Sequence, residues 1–305
     1  MIKREPVSNP LDREFIRILT DFGFKRVFGS KERSNILRRF LNALFEGEMH
    51  IEKVEYRDKE LLPEHITGKK IMYDIYCTTE TGRHFILEMQ QEESENFPDR
   101  ILFYVSKAVV NQGVRGVEYE IYPVVCIVLV DFHITGMSET LVKDIVPVDR
   151  HTGEVYSDKM RMIFISLPEV PEEWDECDTE LLRQLYLIKN MENMTRESKP
   201  YLTGDYEEMF TASSTGNLSN EEAVAYSQSY LKELDSQSAI RFAERRSLEK
   251  GIGIGYDRGM TKGLMKGMEK GMEKGREDTL NELSSLAKSL GLSDDMMKKL
   301  FGSQK

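Results

Sequence analysis

Apolar residues recur along the chain with two different periods, and the switches between them mark its elements. Over residues 14–28, Phe15, Ile18, Leu19 and Phe22 fall at helical spacing, and Thr20-Asp21-Phe22-Gly23-Phe24 can cap or interrupt the run. Residues 33–45 predict a clearer amphipathic helix through Ile36, Leu37, Phe40, Leu41 and Leu44, ended by Gly47. Residues 51–59 alternate as a first strand. In 71–77, Ile71, Tyr73, Ile75 and Cys77 alternate with Met72, Asp74 and Tyr76. In 83–90, Phe85, Leu87 and Met89 take one face, and His84, Ile86, Glu88 and Gln90 the other. Glu80-Thr81-Gly82 joins these two runs as a three-residue hairpin loop, with glycine where a left-handed residue is wanted. Asp99 is the expected cap of a helix reaching Gln112, with Leu102, Val105 and Val109 toward a core and Arg100, Tyr104, Lys107 and Asn111 along another face. Residues 122–132 are an unbroken apolar run, the mark of a strand buried on both faces, and 161–167 predict another strand. The polar stretch between them has room for one more hairpin. Residues 179–193 predict a helix, preceded by the sole tryptophan, Trp174.

Helix, three strands, helix, strand is an α/β order, a mixed sheet flanked by helices. After Tyr201 the composition changes. Residues 203–220 are rich in Gly, Ser, Thr and Asn, and 221–250 return to charged helical sequence. Glycine then recurs at every fourth position from 251 to 275, with Met-Glu-Lys or Met-Lys between. Such a stripe drifts slowly around a helix. Each glycine weakens a helix by about 1 kcal/mol relative to alanine. The repeat therefore reads either as a half-helical spacer or as a self-association element that makes a homo-oligomer through close backbone contact. Residues 279–301 predict a short amphipathic helical pair. The expected organisation is an α/β domain over 1–200, a linker and helical segment over 201–250, and a glycine-repeat helical tail over 251–305.

A net charge of −11 argues against a general nucleic-acid coat protein, yet Lys25, Arg26, Lys31, Arg33, Arg38 and Arg39 form a local basic face. That face reads equally as a solvated helix surface or as phosphate contacts. Cys77, Cys126 and Cys177 lack metal-ligand spacing and read as small buried side chains in a reducing compartment. Met1-Ile2-Lys3-Arg4 runs straight into Glu5-Pro6 without an apolar signal region, and the longest apolar run is too short to cross a bilayer, so a cytoplasmic protein away from membranes is expected.

Candidate chemistry lies in the hairpin. If Thr79 pairs with Arg83, Asp74 falls opposite Glu88, and cross-strand partners have Cβ atoms roughly 4.5–5.5 Å apart. Two carboxylates that close repel each other unless a proton or cation sits between them, and a divalent metal suits their oxygens. A solvated acidic pair is the other reading of the same spacing.

Asp74, followed a hairpin later by Glu88-Met89-Gln90, resembles the D…(E)xK metal site of the PD-(D/E)xK nuclease fold. The nearest pattern is that of the Rpn family of recombination-promoting nucleases and transposases. It is carried by Leu19-Thr20-Asp21-Phe22-Gly23-Phe24-Lys25-Arg26-Val27-Phe28-Gly29, Phe40-Leu41-Asn42, Asp74, Glu88-Met89-Gln90, Arg100 to Tyr104, and Gln112-Gly113 with Tyr119, over roughly residues 14–190. The resemblance implies a restriction-endonuclease-like core with a helical C-terminal tail. It implies a DNA endonuclease that hydrolyses phosphodiesters with Mg²⁺ or Mn²⁺. Asp74 and Glu88 would hold the metal, with the Met89 carbonyl as a further ligand, and Gln90 would stand where the wider motif has lysine. Asp21 would be a third acidic residue or a helix cap. Lys25, Arg100, Tyr104 and Lys107 would support the site or touch DNA, and Lys25 or Lys107 would supply the missing cation. The residue before Asp74 is Tyr73, so the proline of the wider motif is absent. The rival expectation is an inactive member of the fold that binds DNA or a protein partner.

Overall fold

Thr20 starts the first helix. Its hydroxyl accepts the Gly23 N–H at 3.0 Å and caps α1 (Asp21–Phe28) in the computed structural model, which describes residues 9–57, 60–61, 71–112, 121–293, 296 and 299. Next come α2 (Ser34–Leu44), β1 (Val54–Tyr56), and the small pair β2 (Glu60–Leu61) and β3 (Ile71–Met72). The hairpin β4 (Ile75–Thr79) and β5 (His84–Gln90) follows, then α3 (Phe97–Val110), β6 (Val124–Val130), β7 (Val142–Ile145) and β8 (Met160–Ser166). The described chain ends with α4 (Glu180–Asn190), α5 (Lys199–Leu202), α6 (Glu207–Ser213) and the long α7 (Asn220–Ser289).

The main sheet has the order β1-β4-β5-β6-β8-β7. The pairs β5–β6 and β6–β8 are parallel and the rest antiparallel, so the sheet is mixed, as the predicted α/β class requires. β6 is buried at every position because both faces are covered. On one face Cys77, Phe85, Leu87, Val125, Ile127 and Ile163 pack with Phe24 and Val27 of α1, Phe40 of α2, Leu185 of α4 and Phe210 of α6. On the other, Ile86, Cys126, Val128 and Phe164 pack with Phe97, Ile101, Val105 and Ala108 of α3. Each of the Val, Leu, Ile and Phe side chains among them, fully buried, stabilises the fold by roughly 1.5–3 kcal/mol. All three cysteines are buried and unbridged.

Several predicted elements change. Residues 14–20 are not helical: Phe15 bridges Ser214, and the Ile16 N–H donates to Ser213 O at 2.7 Å. Phe15, Ile16, Ile18 and Leu19 are buried in a non-helical segment with a turn at Ile18-Leu19, enclosed on all sides, which imitates helical spacing. The first strand shrinks to β1, and residues 58–59 lie outside the described residues, as do 62–70, Gly113 and Tyr119. α3 begins at Phe97-Pro98 rather than at an Asp99 cap, and Leu102 is exposed while Ile101 is buried. β7 fills the connection before β8. α6 occurs in the stretch read as linker, because Met209, Phe210 and Ala212 have a core to enter.

Two compact units result, Met1–Leu234 and Asp235–Lys305, with the first running past the boundary expected near 200. The opening turns of α7 belong to the first unit: Tyr226 is buried and packs with Ile16, and its hydroxyl accepts the Arg17 N–H at 2.9 Å. In the second unit the glycine repeat lies within continuous helix rather than a half-helical stretch. A methyl group at any glycine from 251 to 275 would meet nothing within 4 Å, so contacts among the described residues do not account for them.

Candidate active site

The turn after β4 sets the register. The Gly82 N–H donates to Thr79 O and the Thr79 N–H to Arg83 O, both at 3.0 Å, and Gly82 has φ +79°. That is a three-residue loop with its left-handed residue last. A side chain on Gly82 would also strike the Tyr122 ring at 2.6 Å. From the turn the ladder counts back through Cys77↔Phe85 to Ile75↔Leu87, so the next position sets Asp74 opposite Glu88.

The ladder stops there. The single strand expected over 71–77 is two pieces, with a bend at Asp74. The bend is held by crossed hydrogen bonds: the Asp74 N–H donates to Glu88 Oε1 at 3.1 Å, and the Met89 N–H donates to Asp74 Oδ2 at 3.2 Å. Side chains thus replace the main-chain bonds a further ladder step would make. Tyr73 turns to the α3 side with Tyr76, breaking the expected alternation.

The electrostatics are unbalanced at Glu88. It is 3% exposed, and burial, then the neighbouring Asp74 carboxylate, push its pKa well above the usual carboxylate range against the pull of the Asp74 N–H, Arg100 and Lys25. Lys25 comes from α1 and lies 3.7 Å from Asp74 Oδ1 and 2.5 Å from Asp21 Oδ1. Burial alone would lower its pKa, but its bond to Asp21 and the charges of Asp21, Asp74 and Glu88 hold it above the ordinary value. Asp21 is an exposed first-turn residue of α1 tied to the pair through Lys25, while the cap itself is Thr20. Gly23 lets this helix approach the preceding segment, since a Cβ there would stand 2.2 Å from Arg17 O.

α3 closes the other side. Arg100 donates to Gln90 Oε1. Tyr104, one turn on, stands edge-on to Tyr73 at 5.5 Å, and its carbonyl accepts the Tyr73 hydroxyl at 3.0 Å. Lys107 continues the same helical face, about 10 Å along the axis from Arg100. Asp74, Glu88, Met89, Gln90, Lys25 and Arg100 are therefore brought together at the carboxyl end of β5. Asp21 and Tyr104 stand one contact further out.

Sequence reasoning missed Arg17 and Gln91. Arg17 is buried, donates to Gln91 Oε1 at 3.2 Å and lies 3.5 Å from Glu192 Oε1; the Gln91 amide donates to Leu19 O. This network ties the end of β5 to the segment before α1. The available signal is a lone arginine inside the apolar run Phe15-Ile16-Arg17-Ile18-Leu19. Other residues of the resemblance are brackets. Asn42 exchanges two hydrogen bonds with the Ile51 main chain, and Gln112 does the same with Tyr122. The expected basic face divides. Arg26 is buried on Glu222 and the carbonyls of Ala212 and Asn217, and Arg39 is bound to Glu180. Lys31 and Arg33 share with Lys25 and with the acids Asp21, Glu32 and Glu222 a depression of about 760 Å³, which meets the carboxylate pair through Lys25.

The donor set fits a single hard cation. Mg²⁺ usually takes one or two protein carboxylates and completes its shell with water and substrate phosphate. A main-chain carbonyl is also in position. Even-numbered residues of β5 turn their main-chain groups toward β6, as Gln90 O accepting from Asp131 N shows, so the Met89 carbonyl faces the side from which β4 has bent away. Among the described residues no group of three or more His, Cys, Asp or Glu side chains could hold a metal. No helix among them is long and apolar enough to cross a membrane. A family model described as PD-(D/E)XK nuclease family transposase matches residues 18–243, a span that includes Asp74, Glu88, Met89, Gln90, Lys25 and Arg100. No curated protein and no solved structure matches the chain.

Proposed function

The chain belongs to the PD-(D/E)XK nuclease family transposases, and from that membership and the site we propose that it is a metal-dependent DNA endonuclease acting at the Asp74–Glu88 pair. The observation that carries the reading is a buried carboxylate, Glu88, cross-bonded to a second one and short of positive charge. Asp74, Glu88 and the Met89 carbonyl would hold Mg²⁺ or Mn²⁺, which when bound supplies Lewis acidity at the scissile phosphate and a more acidic water. The protein's part is placement. The crossed backbone bonds orient both carboxylates, so little reorganisation is needed when a substrate arrives. Lys25, with an ammonium held charged, lies where a phosphate oxygen would approach Asp74. Gln90 has an amide, which neither takes nor gives a proton at neutral pH, so its role is to hold the attacking water by a hydrogen bond. Lys31 and Arg33 would contact the DNA backbone along the neighbouring depression. The glutamine in place of lysine supports one rival, a member of the fold that binds DNA or a protein without cutting it.

Titration calorimetry with Mn²⁺, beside plasmid cleavage by the full chain, separates these readings. Metal binding with metal-dependent cutting is expected. Neither one, in a folded protein, leaves only the inactive reading.

For the second unit we propose self-association through α7. Ile252, Tyr256, Met260, Leu264, Met268 and Met272, each more than half exposed, follow the glycines at the same four-residue period. Light scattering should give a multiple of the chain mass for the full protein and a single mass for one ending at Leu234. Single masses for both would remove the idea.

A further inference from the structure

β5 ends at Gln90, and α3 starts after a short loop with Pro98 in its first turn, so Arg100 returns to the strand end it has just left. The Arg100 guanidinium donates to the Gln90 side chain. A guanidinium has donors and no acceptor, so the atom it meets must be the amide oxygen. The two amide N–H bonds of Gln90 therefore point away from Arg100. Arg100 forms no ion pair among the described residues, and its Nε is buried without a hydrogen-bond partner among them. Lys25, the other nearby cation, is engaged with Asp21 and Asp74. Arg100 acts on Glu88 only as a nearby charge, and its hydrogen-bonded contact with the site is Gln90. A hydrogen bond to a charged donor polarises an amide and strengthens its own N–H as a donor. Tyr104 and Tyr73 hold the helix that carries the guanidinium.

We infer that Arg100 is the positioning residue of the reaction: it fixes and polarises Gln90, so that this pair together presents the charged N–H donor that a lysine at position 90 would present alone. The inference rests on the nuclease reading. It assigns Gln90 a donated hydrogen bond to the attacking water or to a non-bridging phosphate oxygen. It gives neither residue any proton to accept.

The test measures kcat and KM for plasmid cleavage in the full-length protein with Mn²⁺, with folding checked by circular dichroism. Arg100→Gln should lower kcat about 100-fold, the scale for losing one preorganised donor, with little change in KM. Arg100→Lys should recover part of the loss. Adding Gln90→Lys to Arg100→Gln should restore at least about ten-fold, because the charge returns on position 90 itself. A merely structural arginine would make that double variant as poor as Arg100→Gln or worse. Arg100→Gln cutting at the parental rate, or a double variant with no recovery, overturns the inference and leaves the nuclease reading intact. A parent that binds Mn²⁺ but cuts nothing overturns both. Should Arg100→Gln fail to fold, Arg100→Lys carries the test, with a parental kcat as the overturning result.

Discussion

Two polar clusters lie on one face of β5, one at each end. At the first end, the Tyr76 hydroxyl and His84 Nδ1 are 2.5 Å apart, with their rings stacked at 5.6 Å. Burial raises the tyrosine pKa and lowers the histidine pKa, so both groups stay neutral and satisfy each other. At the second end, Glu88 and Asp74 are both acids. Burial and mutual repulsion work against the charge of Glu88, and the Asp74 N–H, Arg100 and Lys25 offset them only in part. The strand, the face and the covering helix are the same. What differs is whether a buried polar pair is complete by itself. A complete pair serves the fold, and an incomplete one is where a ligand adds what is lacking.

The sharpest way to break this contrast is Glu88→Gln. Metal-dependent cleavage should fall by more than about 100-fold. Stability should hold or rise by on the order of 1 kcal/mol, or about 2–4 °C in Tm, because the amide oxygen still accepts the Asp74 N–H while a buried charge is gone. Asp74→Asn should be equally inactive, without the gain, since it also loses Lys25. Cleavage at the parental rate, with contaminating nuclease excluded, would show that the second cluster is as structural as the first.

Next in size is the depression beside the pair. Reversing two charges, Lys31→Glu with Arg33→Glu, should raise KM for DNA about ten-fold at low salt and less as salt is added. Metal binding should not change. An unaltered KM would return these residues to the solvated-surface reading. At the other cluster, Tyr76→Phe should lose about 1 kcal/mol of stability and leave cleavage alone. A loss of cleavage there would erase the distinction between the two ends.

Much of this was legible in the sequence for definite reasons. A hairpin with glycine last in a three-residue loop has one register, and that register sets Asp74 against Glu88. The unbroken run at 124–130 has one place to go, the middle of a covered sheet. What was not legible depended on partners distant in the chain. Residues 14–16 are extended because residues 213–215 take their main-chain groups, and a turn at Ile18-Leu19 leads on to α1. α6 forms because the sheet offers Phe210 a core. The bend at Asp74 follows from side-chain bonds that replace a ladder step, which alternation cannot encode. Arg17 and Gln91 meet only through folding, so no spacing announces them.

The smallest effect expected concerns pH at the first cluster. Desolvation first, then the Arg57 charge, lowers the pKa of His84 in the folded protein. The unfolded chain, with an ordinary histidine near pH 6.5, binds more protons in the window below that value. Stability therefore rises with pH across the window, and the contribution is fully present above the unfolded pKa. As pH falls from about 7 toward 5, the protein should lose stability through His84, and a variant carrying His84→Gln should lose less. Other histidines add the same background to both proteins, so the difference between the two denaturation midpoints isolates the one residue. Parallel pH profiles would mean that the imidazole accepts its proton as readily folded as unfolded, and that the Tyr76–His84 pair is not the closed, neutral unit that sets it apart from the carboxylates at the far end of the strand.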